Sequence, residues 1–309
     1  MGSRFSPLAD RMKAYEEVRR LMGEGVTSPS AVMKRLNASG IRAPARQTVD
    51  RWMLGRNAPT TSVNVFVPRP SPELSFFIGA WLGDGWADEN DGGKRMLLKV
   101  RSYDFAKEFA DSAGKILGKE GSYLPRKVTD DDGDWYKVKV TSLMLYAFAT
   151  QPQELVLAKA EPSPKGFLRG FITAEGGPYV TVENAAPAYL SVGVAVSNSD
   201  RSLLEFTRRL LTGLGFEPGR VRLNVHKGHR TNLGVARKNG WLLSITSIDQ
   251  VRRFFTEVGF ADSKKQTKLD DALSLLAHYG RCEAVTHWRS MYEKSGRMWV
   301  RKSPTISSG

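Results

Sequence analysis

Two short segments of this chain share one design. Phe77-Ile78-Gly79-Ala80-Trp81-Leu82-Gly83-Asp84-Gly85 and Phe167-Leu168-Arg169-Gly170-Phe171-Ile172-Thr173-Ala174-Glu175-Gly176 are apolar runs with small residues four apart, each ending in one carboxylate followed by glycine. If both are helices, Gly79 and Gly83 form one close-packing face and Gly170 and Ala174 another, because residues at i and i+4 share a face. Two such faces let backbones touch, and that requirement restricts the fold more than any other feature of the sequence. Asp84 and Glu175, 91 positions apart in the chain, then emerge side by side at the end of the helix pair. Two acids held at a dry helix junction suit a divalent metal and phosphodiester chemistry.

With these residues quoted, the sequence resembles the LAGLIDADG homing endonucleases, in the monomeric class that carries two motifs in one chain. The resemblance covers roughly Ser71 to Leu276. It implies an α+β fold of two pseudo-symmetric αββαββα halves that form a DNA-binding β-saddle. It also implies that each acid helps to place a metal and a water for attack on one strand across the minor groove, leaving short 3′ overhangs. The metal ligands expected here are Asp84 and Glu175, with the carbonyls of Gly83 and Ala174 close enough to join them. Hard oxygen ligands suit Mg²⁺, with Mn²⁺ as a substitute. Arg101 and Lys265 are the basic candidates for stabilising the transition state, and Asp84, Glu175, Arg101 and Lys265 together make the expected catalytic set.

Charge agrees with a polyanionic partner: the net charge is +14 and the pI about 9.9. Its distribution is uneven. Residues 1–70 hold 12 Lys and Arg against 5 Asp and Glu, residues 277–309 hold 6 against 2, and the middle holds 28 against 25. Any basic surface in the middle must therefore arise by arrangement. The single cysteine, Cys282, excludes an internal disulfide framework and a zinc site with more than one thiolate. No apolar stretch of about 18 residues and no secretory leader is seen, so an intracellular protein without a membrane span is expected, and the resemblance implies a monomer.

The expected organisation is a helix-turn-helix domain over 1–60, a Pro-rich linker over 61–72, a first half over 73–165, a second half over 166–276 and a basic tail over 277–309. In the first of these, helical spacing marks 11–22, a second helix ending before Gly40, and a third from Arg46 to Leu54. Gln47 and Arg51 lie opposite Val49 and Trp52, where with Arg46 they face DNA, while Arg56 meets a phosphate. In the halves, the junctions Val100-Arg101-Ser102-Tyr103-Asp104 and Val196-Ser197-Asn198-Ser199-Asp200 match, with Asp104 and Asp200 expected to cap the helices that follow.

The strands alternate. Lys137 and Lys139 oppose Val138 and Val140, and Arg220, Arg222 and Asn224 oppose Val221, Leu223 and Val225. A ribbon with such residues outward fits the major groove of double-stranded DNA. The expected DNA contacts are Arg95, Lys99, Arg101, Lys137 and Lys139 in the first half and Arg220, Arg222 and Asn224 in the second. His226 and His229 do not converge on a metal, Asp130-Asp131-Asp132-Gly133-Asp134 reads as a hairpin turn rather than a calcium loop, and Trp288 and Trp299 read as packing residues. Two alternatives use the same fold: a cleavage-inactive DNA-binding regulator, which has no reason to keep both acids, and a maturase acting on structured intron RNA.

Overall fold

The computed structural model describes residues 8–56, 59, 66–89, 94–231, 234–296 and 298–302. The chain forms two compact units, one made of residues up to Val67 with Asp88–Arg95 and Thr141–Phe148, the other of the remainder. The first five residues of the expected linker, 61–65, lie outside the described residues, as does the end of the expected tail, 303–309.

In the first unit, α1 (Leu8–Gly23), α2 (Pro29–Ala38) and α3 (Arg46–Met53) follow the expected spacing. They close over Val18, Leu21, Val32, Leu36, Val49 and Trp52, with Tyr15 edge-on to Trp52 at 5.4 Å. Gly40, at φ 73°, makes the turn after α2 that a side chain would strain. Val49 and Trp52 take the inner face of α3, leaving Arg46, Gln47 and Arg51, and Arg56 beyond them, exposed.

The second unit begins with α4 (Pro72–Asp84), β1 (Gly85–Asp88), β2 (Arg95–Val100), α5 (Tyr103–Ile116), β3 (Arg126–Asp130), β4 (Gly133–Val140) and the boundary-spanning α6 (Leu143–Ala149). After the short α7 (Gln153–Leu157), the order repeats as α8 (Pro164–Glu175), β5 (Gly176–Glu183), β6 (Tyr189–Asn198), α9 (Arg201–Gly213) and β7 (Arg222–Val225). A small insertion, β8 (Arg230–Thr231) and β9 (Gly234–Val235), precedes β10 (Gly240–Ile245) and α10 (Ile248–Glu257). The sheets are ordered β1-β2-β4-β3 and β5-β6-β10-β7, so each half is αββαββα as expected.

α4 is capped by Ser71, whose side chain accepts from Leu74 N, with Pro72 opening the first turn. α8 likewise starts at Pro164. The two helices run side by side in the same direction with their backbones in contact. A Cβ on Gly79 would lie 2.3 Å from Phe167 O, and one on Gly170 would lie 2.4 Å from Phe76 O. Gly166, which lies outside the two motif runs, extends the stripe by one turn: a Cβ there would lie 2.5 Å from Pro72 O. Phe77 stacked on Phe109 of α5, and Phe167 edge-on to Phe206 of α9, then join this pair to the helices around it.

Three expectations are corrected. α5 is capped by Ser102, which accepts from Phe105 N, and Asp104 sits inside the first turn; only in α9 does the aspartate, Asp200, cap. Two capping residues stand two apart at the first junction, and the earlier one starts the helix. Arg220 precedes β7 rather than lying in it. The boundary at 276 falls inside α11 (Ser263–Met291), which breaks at Gly280 (φ 67°, ψ −178°) and continues into a hairpin of β11 (Tyr292–Ser295) and β12 (Met298–Arg301). Much of the expected tail is thus folded. Trp288 is fully buried, stacked on Tyr292 at 3.9 Å, with Trp299 edge-on. Among the described residues no helix is long and apolar enough to cross a membrane.

Candidate active site

Both motif helices end in the same way. The last helical N–H groups, those of Gly85 and Gly176, reach Trp81 O and Ile172 O. The carbonyls of Gly83 and Ala174 therefore lie in the final turns, past the last bond of each helix. Glycine follows each acid, and at 176 this is required by packing, since a Cβ there would lie 2.3 Å from Ala195 O. At the tips, a Cβ on Gly83 would lie 2.4 Å from the Ala174 Cβ and 3.3 Å from the Glu175 Cγ. The small-residue stripe thus continues to the last turn and sets Asp84 beside Glu175.

Burial pushes the Asp84 carboxyl up to about 6, with Lys265 acting against it. Glu175 is pushed up to about 7, first by burial and then by the Asp84 charge, against a hydrogen bond with Asn198 and the charge of Lys265. Two carboxylates so close cannot both ionise freely, so each opposes the other's charge. Asp84 is exposed at its surface side although crowded by neighbouring atoms, and Glu175 is half-buried, so the site is reachable from solvent.

Lys265 completes the centre. Asp262 caps α11 and accepts from Lys264 N and Lys265 N, and Ala261 N donates to the Thr173 hydroxyl at 2.9 Å. These contacts fix the first turn of α11 against the end of α8. The Lys265 ammonium then donates to Thr173 O at 2.6 Å and Gly176 O at 2.7 Å, the carbonyls that flank Glu175 by two residues and one. Burial holds its pKa below the usual lysine range, while Asp262, Asp84 and Glu175 draw it back up.

Arg101, expected here, is placed elsewhere. Its guanidinium donates to Asp132 O at 2.9 Å and lies 4.5 Å from the Trp135 ring centroid, and the pKa of neither carboxylate responds to it. The β3–β4 turn captures it, through a carbonyl that sequence spacing does not reveal. Arg101 therefore sits at the β3–β4 turn rather than among the groups that act on Asp84 and Glu175.

On the face of the first sheet the expected alternation holds. Lys99 is paired across the strands with Lys137, bonds Asp130 at 2.5 Å and lies over Trp135 at 4.8 Å. Lys137 lies over Trp86 at 5.8 Å, and Lys139 is exposed. Arg95 is 3.9 Å from Asp88. Arg126, opposite Lys137, belongs to the same face and escaped the sequence reading. In the second half Arg222 and Asn224 are exposed on edge strand β7, alternating with half-buried Leu223 and Val225. Tyr179, also missed, lies across Gly193, where a Cβ would be 2.3 Å from its phenol oxygen, and the charge of Arg222 acts on it.

Among the described residues no three His, Cys, Asp or Glu side chains cluster as a metal site. The two carboxylates fit a divalent cation nonetheless. Both are hard oxygen donors whose ionisation is opposed by burial, and at Glu175 also by the neighbouring charge, and a cation between them offsets both costs. A stability consequence follows. Both groups ionise at higher pH in the folded chain than in the unfolded one, so stability from this pair is complete below about pH 4 and declines as pH rises to about 7. The Asp84→Asn, Glu175→Gln double variant should therefore unfold later than wild type at about pH 8 without metal, by about 1 to 2 kcal/mol after allowance for solvent screening, and no later near pH 4. Denaturant melts at the two pH values with chelator present measure this. Equal gaps at both would show that the carboxylates are not held against ionisation.

Residues 163–259 match the family model described as a LAGLIDADG-like domain. The chain is 30% identical over 253 residues to the uncharacterized protein MJ0398 of Methanocaldococcus jannaschii, across 80% of this chain and 88% of that one. Among solved structures, it is similar to I-DmoI in complex with DNA and Mn, at 18% identity over 61% of this chain and 96% of that one, with a TM-score of 0.43. It is also similar to the LAGLIDADG meganuclease I-AabMI bound to uncleaved DNA, at 11% identity over 70% and 97%, with a TM-score of 0.46.

Proposed function

Because this chain belongs to the LAGLIDADG-like family, we propose that it is a site-specific double-strand DNA endonuclease that uses divalent metal ions. The observation that carries this is the convergence of Asp84, Glu175 and Lys265 at the tips of two helices whose backbones touch. A regulator that only binds DNA has no use for two acids kept together against burial and, at Glu175, against the other's charge.

Asp84 and Glu175 hold the cations, with the carbonyls of Gly83 and Ala174 in reach to add ligands. Bound there, a divalent ion makes water a better nucleophile at neutral pH and offsets charge on the phosphate. Lys265, fixed by two carbonyls, presents positive charge where the pentavalent phosphate becomes more negative, without having to reorganise. The stripe from Gly79 to Ala174 keeps the two acids in one relation, so the two strands are cut at a fixed offset.

Lys99, Arg101, Arg126, Lys137 and Lys139 grip the duplex from the first sheet, and Arg222, Asn224 and Tyr179 read base edges from the second. Arg220 contributes from the segment before β7. Exposed Arg46, Gln47, Arg51 and Arg56 make α3 a further DNA-binding element of helix-turn-helix type. The halves differ in these residues, so the target is asymmetric or pseudo-palindromic, bound by a monomer inside the cell.

A randomised duplex library incubated with the protein and Mg²⁺, followed by sequencing of the ends, tests the proposal. One cleaved sequence class with a constant stagger, lost in chelator and restored by Mn²⁺, is expected. An uncleaved library with Mg²⁺ and with Mn²⁺ would overturn it.

A further inference from the structure

The end of the chain is folded in a way its composition does not require. After α11 breaks at Gly280, the second part of the helix and the hairpin β11–β12 turn back onto the first part. Three contacts hold them there: Lys268 Nζ donates to Trp299 O at 3.1 Å, the Tyr292 hydroxyl donates to Asp271 at 2.7 Å, and Arg301 pairs with Asp271 at 3.5 Å. Lys268 is one helical turn beyond Lys265, so the hairpin is pinned beside the turn that serves the catalytic junction.

A two-stranded hairpin is marginal by itself. This one is made rigid by the buried Trp288, stacked on Tyr292, and by Trp299 at its edge. The rigid scaffold displays cations. Arg289, Lys294 and Lys302 are all exposed, with Glu293 the single acid on the two strands. Lys302 Nζ bonds Arg289 O, which keeps two of the three together, and four-residue strands span only about 13 Å. The central 206 residues carry a surplus of three basic residues and the last 33 carry four.

We infer that the C-terminal hairpin is a second grip on the DNA duplex, in which Arg289, Lys294 and Lys302 contact phosphodiester oxygens next to the cleavage centre. It rests on the nuclease reading above. Exposed ammonium and guanidinium groups on a preordered strand pair suit phosphate oxygens, because the ordering cost is met before binding. These contacts hold without reading sequence.

The test is the salt dependence of binding to a mixed-sequence duplex several helical turns long, in Ca²⁺ and without cleavage. In the Arg289→Gln, Lys294→Gln, Lys302→Gln variant the slope of log K against log salt should fall by roughly 2 to 3, at about 0.9 per phosphate contact. Lys294→Gln alone, at a side chain that bonds no backbone group, should lose roughly 0.9 of slope, which covers the case in which the triple variant is unstable. The charge-retaining set Arg289→Lys, Lys294→Arg, Lys302→Arg should keep the wild-type slope. A wild type that binds, with an unchanged slope in Lys294→Gln and in the triple variant, overturns this inference and leaves the nuclease standing. A wild type with no salt-dependent duplex binding overturns both.

Discussion

The Asp84→Asn, Glu175→Gln double variant is expected to bind duplex DNA as tightly as wild type and to cleave it at least about a thousandfold more slowly. That factor is what a loss of several kcal/mol of transition-state stabilisation amounts to. The amides are nearly isosteric with the acids, so the helix tips keep their packing, but they are poor ligands for a hard cation. Removing two charges that burial opposes also spares the fold, which is why affinity survives. Each single variant keeps one acid at the junction and is expected to nick one strand more readily than it breaks both. Gel-shift titration in Ca²⁺ and timed cleavage in Mg²⁺ separate binding from chemistry. Wild-type cleavage by the double variant would remove Asp84 and Glu175 from the mechanism.

Gly79→Ala is the substitution with the largest expected cost to stability. Alanine is the better helix former by about 1 kcal/mol, so on propensity alone the change should help. The new methyl would however lie 2.3 Å from Phe167 O and 2.8 Å from Phe171 N. These are backbone atoms that cannot turn aside, so the helices must separate along their length. A loss of about 3 kcal/mol or more is expected, at the upper end of what overpacking costs. Cleavage should fall too, since a 1 Å displacement of reacting groups costs about a hundredfold. Gly213→Ala is the control: it lies at the end of α9, meets nothing within 4 Å, and should range from neutral to stabilising by up to about 1 kcal/mol. A melt of Gly79→Ala equal to wild type would show that α4 and α8 are not in backbone contact.

The parts of the site that were legible in the sequence are those written in local spacing. Small residues four apart followed by an acid announce a helix tip, and two copies announce the pair. Strand alternation likewise placed Lys137, Lys139, Arg222 and Asn224 outward. What the sequence hid depends on distant partners. Arg101 adjoins a plausible helix cap, yet a turn thirty residues later takes its guanidinium. Nothing in the local sequence sets Lys265 apart from other lysines; its place is fixed by Thr173 O and Gly176 O, about ninety residues earlier. Tyr179 reaches across the sheet only because Gly193 lacks a side chain, a pairing that neither segment signals alone. The C-terminal hairpin escaped notice because its strands are four residues long and its anchors, Lys268 and Asp271, lie in the preceding helix.

The touching helices also bear on when the paired acids come together during synthesis of the chain. α4 is made early and α8 some eighty residues later, and Lys265 follows after almost a further ninety. Until α8 leaves the ribosome, the glycine face of α4 has no partner from its own chain, and Asp84 stands alone. Contacts between segments so far apart form slowly. A nascent or truncated chain therefore carries its first sheet before it carries the paired acids, and on the proposed function a chain of this design would cut only as a finished molecule.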